Sequence, residues 1–131
     1  MEKKETIITK TYDMLLYVIP ILEKYPRTHK FILADRIENT LLNILDRLLE
    51  AYFSQTGDKN DLLKNVNIEL EKLRYLIRLS YDLRCINIDK YEKITFKINE
   101  VGKMSGGWRK SLKWKNMIIY MMKYVLLEIC F

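Results

Sequence analysis

Residues 61–77 read DLLKNVNIELEKLRYLI, with Leu63, Val66, Leu70, Leu73 and Ile77 three or four positions apart. That spacing lines all five along one face of an α-helix. Neither glycine nor proline interrupts the run, and it predicts a helix over about residues 61–85.

The same period recurs on either side. Upstream, Phe31, Ile37, Leu41, Ile44, Leu45, Leu48 and Tyr52 form the apolar stripe of a helix over about residues 30–54. Between the two, QTGDKND (55–61) predicts a polar turn, with Gly57 as a C-terminal cap and Asn60 or Asp61 opening the next helix. Further upstream, Ile8, Tyr12, Leu15, Leu16, Ile19 and Leu22 predict a first helix over about residues 6–24. Pro20 removes a backbone donor there and predicts a kink or partial unwinding. KYPRTH (24–29) then breaks the chain at Pro26. Downstream, NIDK (87–90) is a further break, capped by Asn87 or Asp89, and Ile94, Ile98, Val101, Ser105, Trp108 and Leu112 mark a fourth helix. Short connections between long amphipathic helices predict an all-α, up-and-down four-helix bundle over residues 1–113.

Composition agrees with this architecture. Four glycines and two prolines among 131 residues are too few for the many turns of a β-sandwich or barrel. Residues 114–131, WKNMIIYMMKYVLLEICF, are strongly apolar but shorter than the roughly 20 residues that span a bilayer. They predict an additional C-terminal helical segment packed on the bundle or on another subunit, with a membrane anchor the less favoured use. Cys85 and Cys130, far apart and each among apolar residues, fit buried thiols in a reducing cytoplasmic setting. One histidine, His29, and no paired cysteines argue against a zinc site. MEKKETIITK at the start has no uninterrupted apolar run, so no signal peptide is expected.

No phosphate loop, nucleophile elbow or Glu-x-x-His pair is present, so no enzyme, cofactor or small-molecule substrate is expected. Charge is the informative feature: 23 lysines and arginines against 17 acids give a net charge of +6. Such a surplus favours an anionic partner, nucleic acid first. Arg74 and Arg78 share a helical face, with Tyr81 a turn further on and Arg84 extending the row. Arginines on a rigid helix can contact phosphates, and tyrosines can stack on unpaired bases. Alternatively, Arg74 pairs with Glu71 and Tyr75 and Tyr81 belong to the core. A second cluster comprises Lys90, Lys93, Lys97, Lys103, Arg109, Lys110, Lys113 and Lys115, facing only Glu92 and Glu100 as acids. A solvated helix face is the competing explanation.

NEVGKMSGGWRKSLK (99–113) raises a separate question, since each glycine inside a helix costs roughly 1 kcal/mol relative to alanine. Gly102 and Gly106 share a face and would let another backbone approach closely, with Gly107 beside them and Trp108 anchoring a neighbouring groove. A frayed helix end is the alternative.

INEVGKMSGGWRKSL, with the upstream LEKLRYLIRLSYDL and YDMLLYVIPILEKYPRTHKF, resembles the accessory variability determinant (Avd) proteins of diversity-generating retroelements. It is also similar to the four-helix-bundle proteins encoded in intervening sequences of large-subunit ribosomal RNA genes. The resemblance covers about residues 10–113, and the apolar segment after Lys115 departs from it. It implies a homopentamer, without a catalytic centre, that associates with a reverse transcriptase and its template RNA during mutagenic cDNA synthesis. Under it, Arg74, Arg78, Arg84, Lys97, Arg109, Lys110 and Lys113 are the positions expected to meet nucleic acid or polymerase. Gly102, Gly106, Gly107 and Trp108 are expected in packing and assembly. A ribosomal intervening-sequence-type interaction bundle with no retroelement is the alternative.

Overall fold

The computed structural model describes residues 2–129. Its helices are α1 (Glu2–Leu22), the single turn α2 (Arg27–His29), α3 (Asp35–Phe53), α4 (Thr56–Asp82) and α5 (Ile88–Ile129). A π-helical turn, Lys30–Ala34, joins α2 to α3, and the Asp35 N–H reaches back to the Lys30 and Ile32 carbonyls. The four long helices pack as a closed ring: α1 touches α3 and α5, and α4 touches α3 and α5. Each lies beside its neighbours in sequence, as the short connections require. The four-helix bundle is as predicted.

The core fills the centre of that ring. Leu63, Val66, Leu70, Leu73 and Ile77 of α4 are all buried, as are Ile37, Leu41, Ile44 and Leu48 of α3 and Ile94, Ile98, Val101, Trp108 and Leu112 of α5. Small hydroxyls enter the core by bonding their own helix: Thr11 Oγ1 donates to Ile7 O at 2.8 Å and Ser80 Oγ to Leu76 O at 2.9 Å. That device hides the inner face of α1. Its core row is Ile7, Thr11, Met14 and Val18, whereas Tyr12 and Leu16 of the expected stripe are exposed.

Several boundaries also differ. Phe31 is exposed, because the extra residue in the π-helical turn rotates it out of register with Ile37 and buries Leu33 and Ala34 instead. Gly57 lies in the first turn of α4 rather than capping α3; the break falls at Ser54 and Gln55, both extended. α1 continues through Pro20 and ends two residues later, so the proline falls where the helix is already closing. Asn87 caps α5 as expected, its Oδ1 accepting from the Lys90 N–H at 2.9 Å.

The largest difference is at the C-terminus. The C-terminal segment is helical as expected but not a separate helix: α5 runs unbroken for 42 residues, through Gly106–Gly107 and on past the bundle. Nothing in WRKSLKWK supplies a stop or a new cap, so α5 carries on into the apolar segment. Among the residues whose burial is described, Leu112 is the last buried one, and residues 113–126 are exposed. Cys85 is half-buried, and burial pushes its thiol pKa up, while Cys130 lies outside the described residues.

Candidate nucleic-acid interface

Arg74 and Arg78 lie on the side of α4 that turns toward α5. Arg74 Nε donates to Asn99 Oδ1 at 3.1 Å, and its Nη1 pairs with Glu71. The space is made by Gly102, where an added Cβ would stand 3.0 Å from Arg74 Nη2. Arg74 therefore bridges two helices, half-buried, with an acid of its own helix beside it. Arg78 is more exposed, and its Nε lies 4.0 Å from Asp82 Oδ2. An exposed pair at that distance contributes little and leaves the guanidinium available. Glu71, Arg74, Tyr75, Arg78, Tyr91 and Thr95 line an open groove between α4 and α5, in which Glu71 is already paired with Arg74. Neither tyrosine of α4 belongs to the core: Tyr75 is 72% exposed, and Tyr81 stacks on Tyr91 with centroids 5.0 Å apart.

The α5 cations do not form one patch. Lys97 Nζ lies 5.1 Å above the Tyr17 ring, on the α1 side of the helix and away from Arg74. Lys93 pairs with Asp89 at 3.1 Å, and that carboxylate raises the lysine pKa through a hydrogen bond and charge. Glu100 is engaged by Lys10 of α1 at 3.4 Å. The expectation that only Glu92 and Glu100 face this cluster is thus corrected: Asp89 joins it and Glu100 turns toward α1. At the far end, Arg109 Nε donates to Asn60 Oδ1 of α4 at 3.1 Å. Lys103, Lys110, Lys113 and Lys115 form no ion pair with any described residue.

Arg84 stands elsewhere again, at the end of α4. Cys85 N–H donates to Ser80 O at 2.8 Å and Arg84 N–H to Tyr81 O at 3.0 Å. These are the two bonds of a Schellman cap, in which the left-handed residue is ordinarily glycine. Here Arg84 occupies it, with φ 62°, and is exposed.

The expected site residues therefore fall into an α4–α5 groove (Arg74, Arg78), a basic stretch near the bundle's exit (Arg109, Lys110, Lys113), and two outliers, Lys97 and Arg84. The assembly residues divide as well. Gly102 accommodates a side chain rather than a backbone. Gly106 and Gly107 have nothing within 4 Å of an added Cβ. Trp108 is 4% exposed and packs in the chain's own core, so it anchors no neighbouring groove. Two amides act across helices: Asn99 carries no signal in the sequence, and Asn60, expected to open α4, lies inside it instead, because the helix begins at Thr56. A groove between α3 and α4 lined by Arg36, Asn39, Asn43 and Lys72 escaped notice, its only sequence signal being the polar i, i+3, i+7 row on α3.

Among the described residues no cluster of three His, Cys, Asp or Glu side chains is placed to hold a metal. No described helix is long and apolar enough to cross a membrane.

Comparison with known proteins follows the fold. A crystal structure of a protein of unknown function from the S23 ribosomal protein family of Bacteroides thetaiotaomicron VPI-5482 superimposes with a TM-score of 0.76. The two are 19% identical, and the match covers 82% of this chain and 98% of that one, so the likeness is one of fold. No curated protein gives a significant match. The bAvd-like family model matches residues 6–112, from the first core residues of α1 to the last of α5. The chain belongs to the bAvd-like family.

Proposed function

We propose that the protein is a non-catalytic accessory subunit of a diversity-generating retroelement, binding the reverse transcriptase and its template RNA to support mutagenic cDNA synthesis. The family match motivates the context. The observation that carries the nucleic-acid part is the set of unpaired lysines, Lys103, Lys110 and Lys113, on the outer surface of α5. Cations held on a rigid helix with no acid to neutralise them attract phosphate without reading sequence. Arg78 and Tyr75 in the α4–α5 groove add a guanidinium and an exposed ring on which a base can stack. In this reading the copies assemble as a homopentamer, and the exposed Tyr12 and Leu16 on α1 are apolar surface available for contact between them.

Co-expression with a reverse transcriptase encoded beside the gene tests the reading. The expected result is a stable complex that survives purification and is lost when Arg78, Arg109, Lys110 and Lys113 are replaced by glutamate. A reverse transcriptase that elutes alone overturns it. The second reading, an interaction bundle with no retroelement role, draws on the fold likeness to the S23-family structure. A genomic neighbourhood with no reverse transcriptase and no template–variable repeat pair favours that reading instead.

A further inference from the structure

The part of α5 beyond the bundle lies outside both the family match and the last buried residue. Its apolar side chains are Trp114, Met117, Ile118, Ile119, Met121, Met122, Val125 and Leu126, each about half exposed, from 48% for Met117 to 62% for Trp114. At about 100° per residue they occupy an arc of about 200° around the helix, with Lys115 inside it, between the directions of Met122 and Leu126, in the turn next to the bundle. The remaining strip carries Asn116, Tyr120, Lys123 and Tyr124, with the two tyrosine rings 5.1 Å apart.

The direction of that arc is informative. Within the bundle, α5 faces inward through Ile94, Ile98, Val101, Ser105, Trp108 and Leu112. Continuing that row leads to Asn116, Ile119 and Lys123, the polar margin of the extension. The middle of the apolar arc, Trp114, Ile118, Met121 and Val125, instead continues the outer row of Lys103, Gly107 and Lys110. It points away from the chain's own core, so no refolding of the extension against its own bundle follows from this register.

We propose that residues 114–126 are a self-association element, in which the same segment of neighbouring copies packs into a helical cluster. The width of the arc supports this choice of partner. A helix facing one core needs an apolar stripe of about 100°, so an arc twice as wide calls for neighbours on more than one side. Identical copies supply such neighbours automatically. The half-exposed side chains offer several hundred Å² per copy, on the scale of the roughly 800 Å² per partner that stable interfaces bury. A helix lying on an anionic membrane would present a strongly charged polar face, whereas this strip holds one lysine, an amide and two phenols. The inference rests on the homo-oligomer of the proposed function and adds a contact outside the family fold.

Trp114 reports on the contact directly, because Trp108 is buried and contributes a constant shielded background. Acrylamide quenching and light-scattering mass are measured on the full chain, on Ile118→Lys with Val125→Lys, and on Asn116→Lys as a control on the polar strip. Circular dichroism checks that each variant keeps its helices. The expected result is a shielded Trp114 in the wild type and in Asn116→Lys, with quenching several-fold stronger in the double variant. A double variant that is monomeric, or that stays oligomeric with Trp114 exposed, supports the inference. An oligomeric wild type whose Trp114 is quenched as freely as in the double variant overturns it while leaving the homo-oligomer standing. A monomeric wild type overturns both. Shielding of Trp114 only when phosphatidylcholine–phosphatidylserine vesicles are added also overturns it, in favour of a membrane contact.

Discussion

Arg74 and Gly102 meet across the α4–α5 seam: Nη2 of the arginine lies 3.0 Å from the point where a side chain at residue 102 would begin. The neighbour in the way is the far end of a flexible side chain, and the next closest atom, Leu70 Cδ1, is at ordinary contact distance of 3.9 Å. Gly102→Ala is therefore expected to stabilise the bundle by about 0.5–1 kcal/mol, the gain in helix propensity. The guanidinium swings out of its bond to Asn99. Thermal unfolding checks the sign; a lowered midpoint would show that the bridge outweighs the propensity.

Gly106 and Gly107 are different, since nothing within the chain crowds either. Replacing both by alanine is expected to raise bundle stability by about 1–2 kcal/mol. If the outer row of α5 meets another chain there, association weakens at the same time. Chemical denaturation and light scattering on the same double variant separate the two effects.

Arg84 holds a backbone conformation that disfavours a side chain by roughly 1–2 kcal/mol. Arg84→Gly is expected to stabilise the fold by up to about 1 kcal/mol, because glycine relieves the strain but gives back part of it as unfolded-state entropy. If Arg84 contacts nucleic acid, the same variant binds more weakly while being more stable. A denaturant midpoint that falls contradicts the first half of this expectation.

Tyr25 is buried, and burial pushes its phenol pKa up to about 12, with Ser80 opposing and Cys85 adding to the shift. In the unfolded chain a tyrosine ionises near its usual value of about 10. The contribution is thus intact below pH 10 and lost as pH rises from 10 to 12, by about 2–3 kcal/mol. Unfolding measured across that window, for the wild type and Tyr25→Phe, is expected to show a steeper decline in the wild type. Parallel curves contradict the assignment.

Periodicity reveals the bundle because the inner rows of α3, α4 and α5 are almost purely apolar, from Ile37 to Leu48 and from Leu63 to Ile77. It misplaces α1 by one position, since a threonine whose hydroxyl bonds its own helix looks polar in sequence yet lies fully buried. Phe31 misleads for another reason: a π-helical turn changes the period, and no residue type announces one. The Avd-like motifs identify the family, and the match over residues 6–112 bears out that resemblance. The local geometry of the cations was not legible. Arg74 to Asn99 and Arg109 to Asn60 join residues 25 and 49 positions apart, and sequence spacing carries no information about such pairs. Nor does spacing say that Glu100 serves Lys10 rather than its own helix.

The account depends most on Lys103, Lys110 and Lys113 being free to hold phosphate. The direct measurement is a mobility-shift titration with single-stranded RNA across a range of salt, for the wild type and for Lys110→Glu with Lys113→Glu. The logarithm of the binding constant is expected to fall linearly with the logarithm of salt, and the double variant's slope to be shallower by about 1.4, near 0.7 for each phosphate contact removed. No binding by the folded wild type at low salt, or an unchanged slope in the variant, contradicts the account.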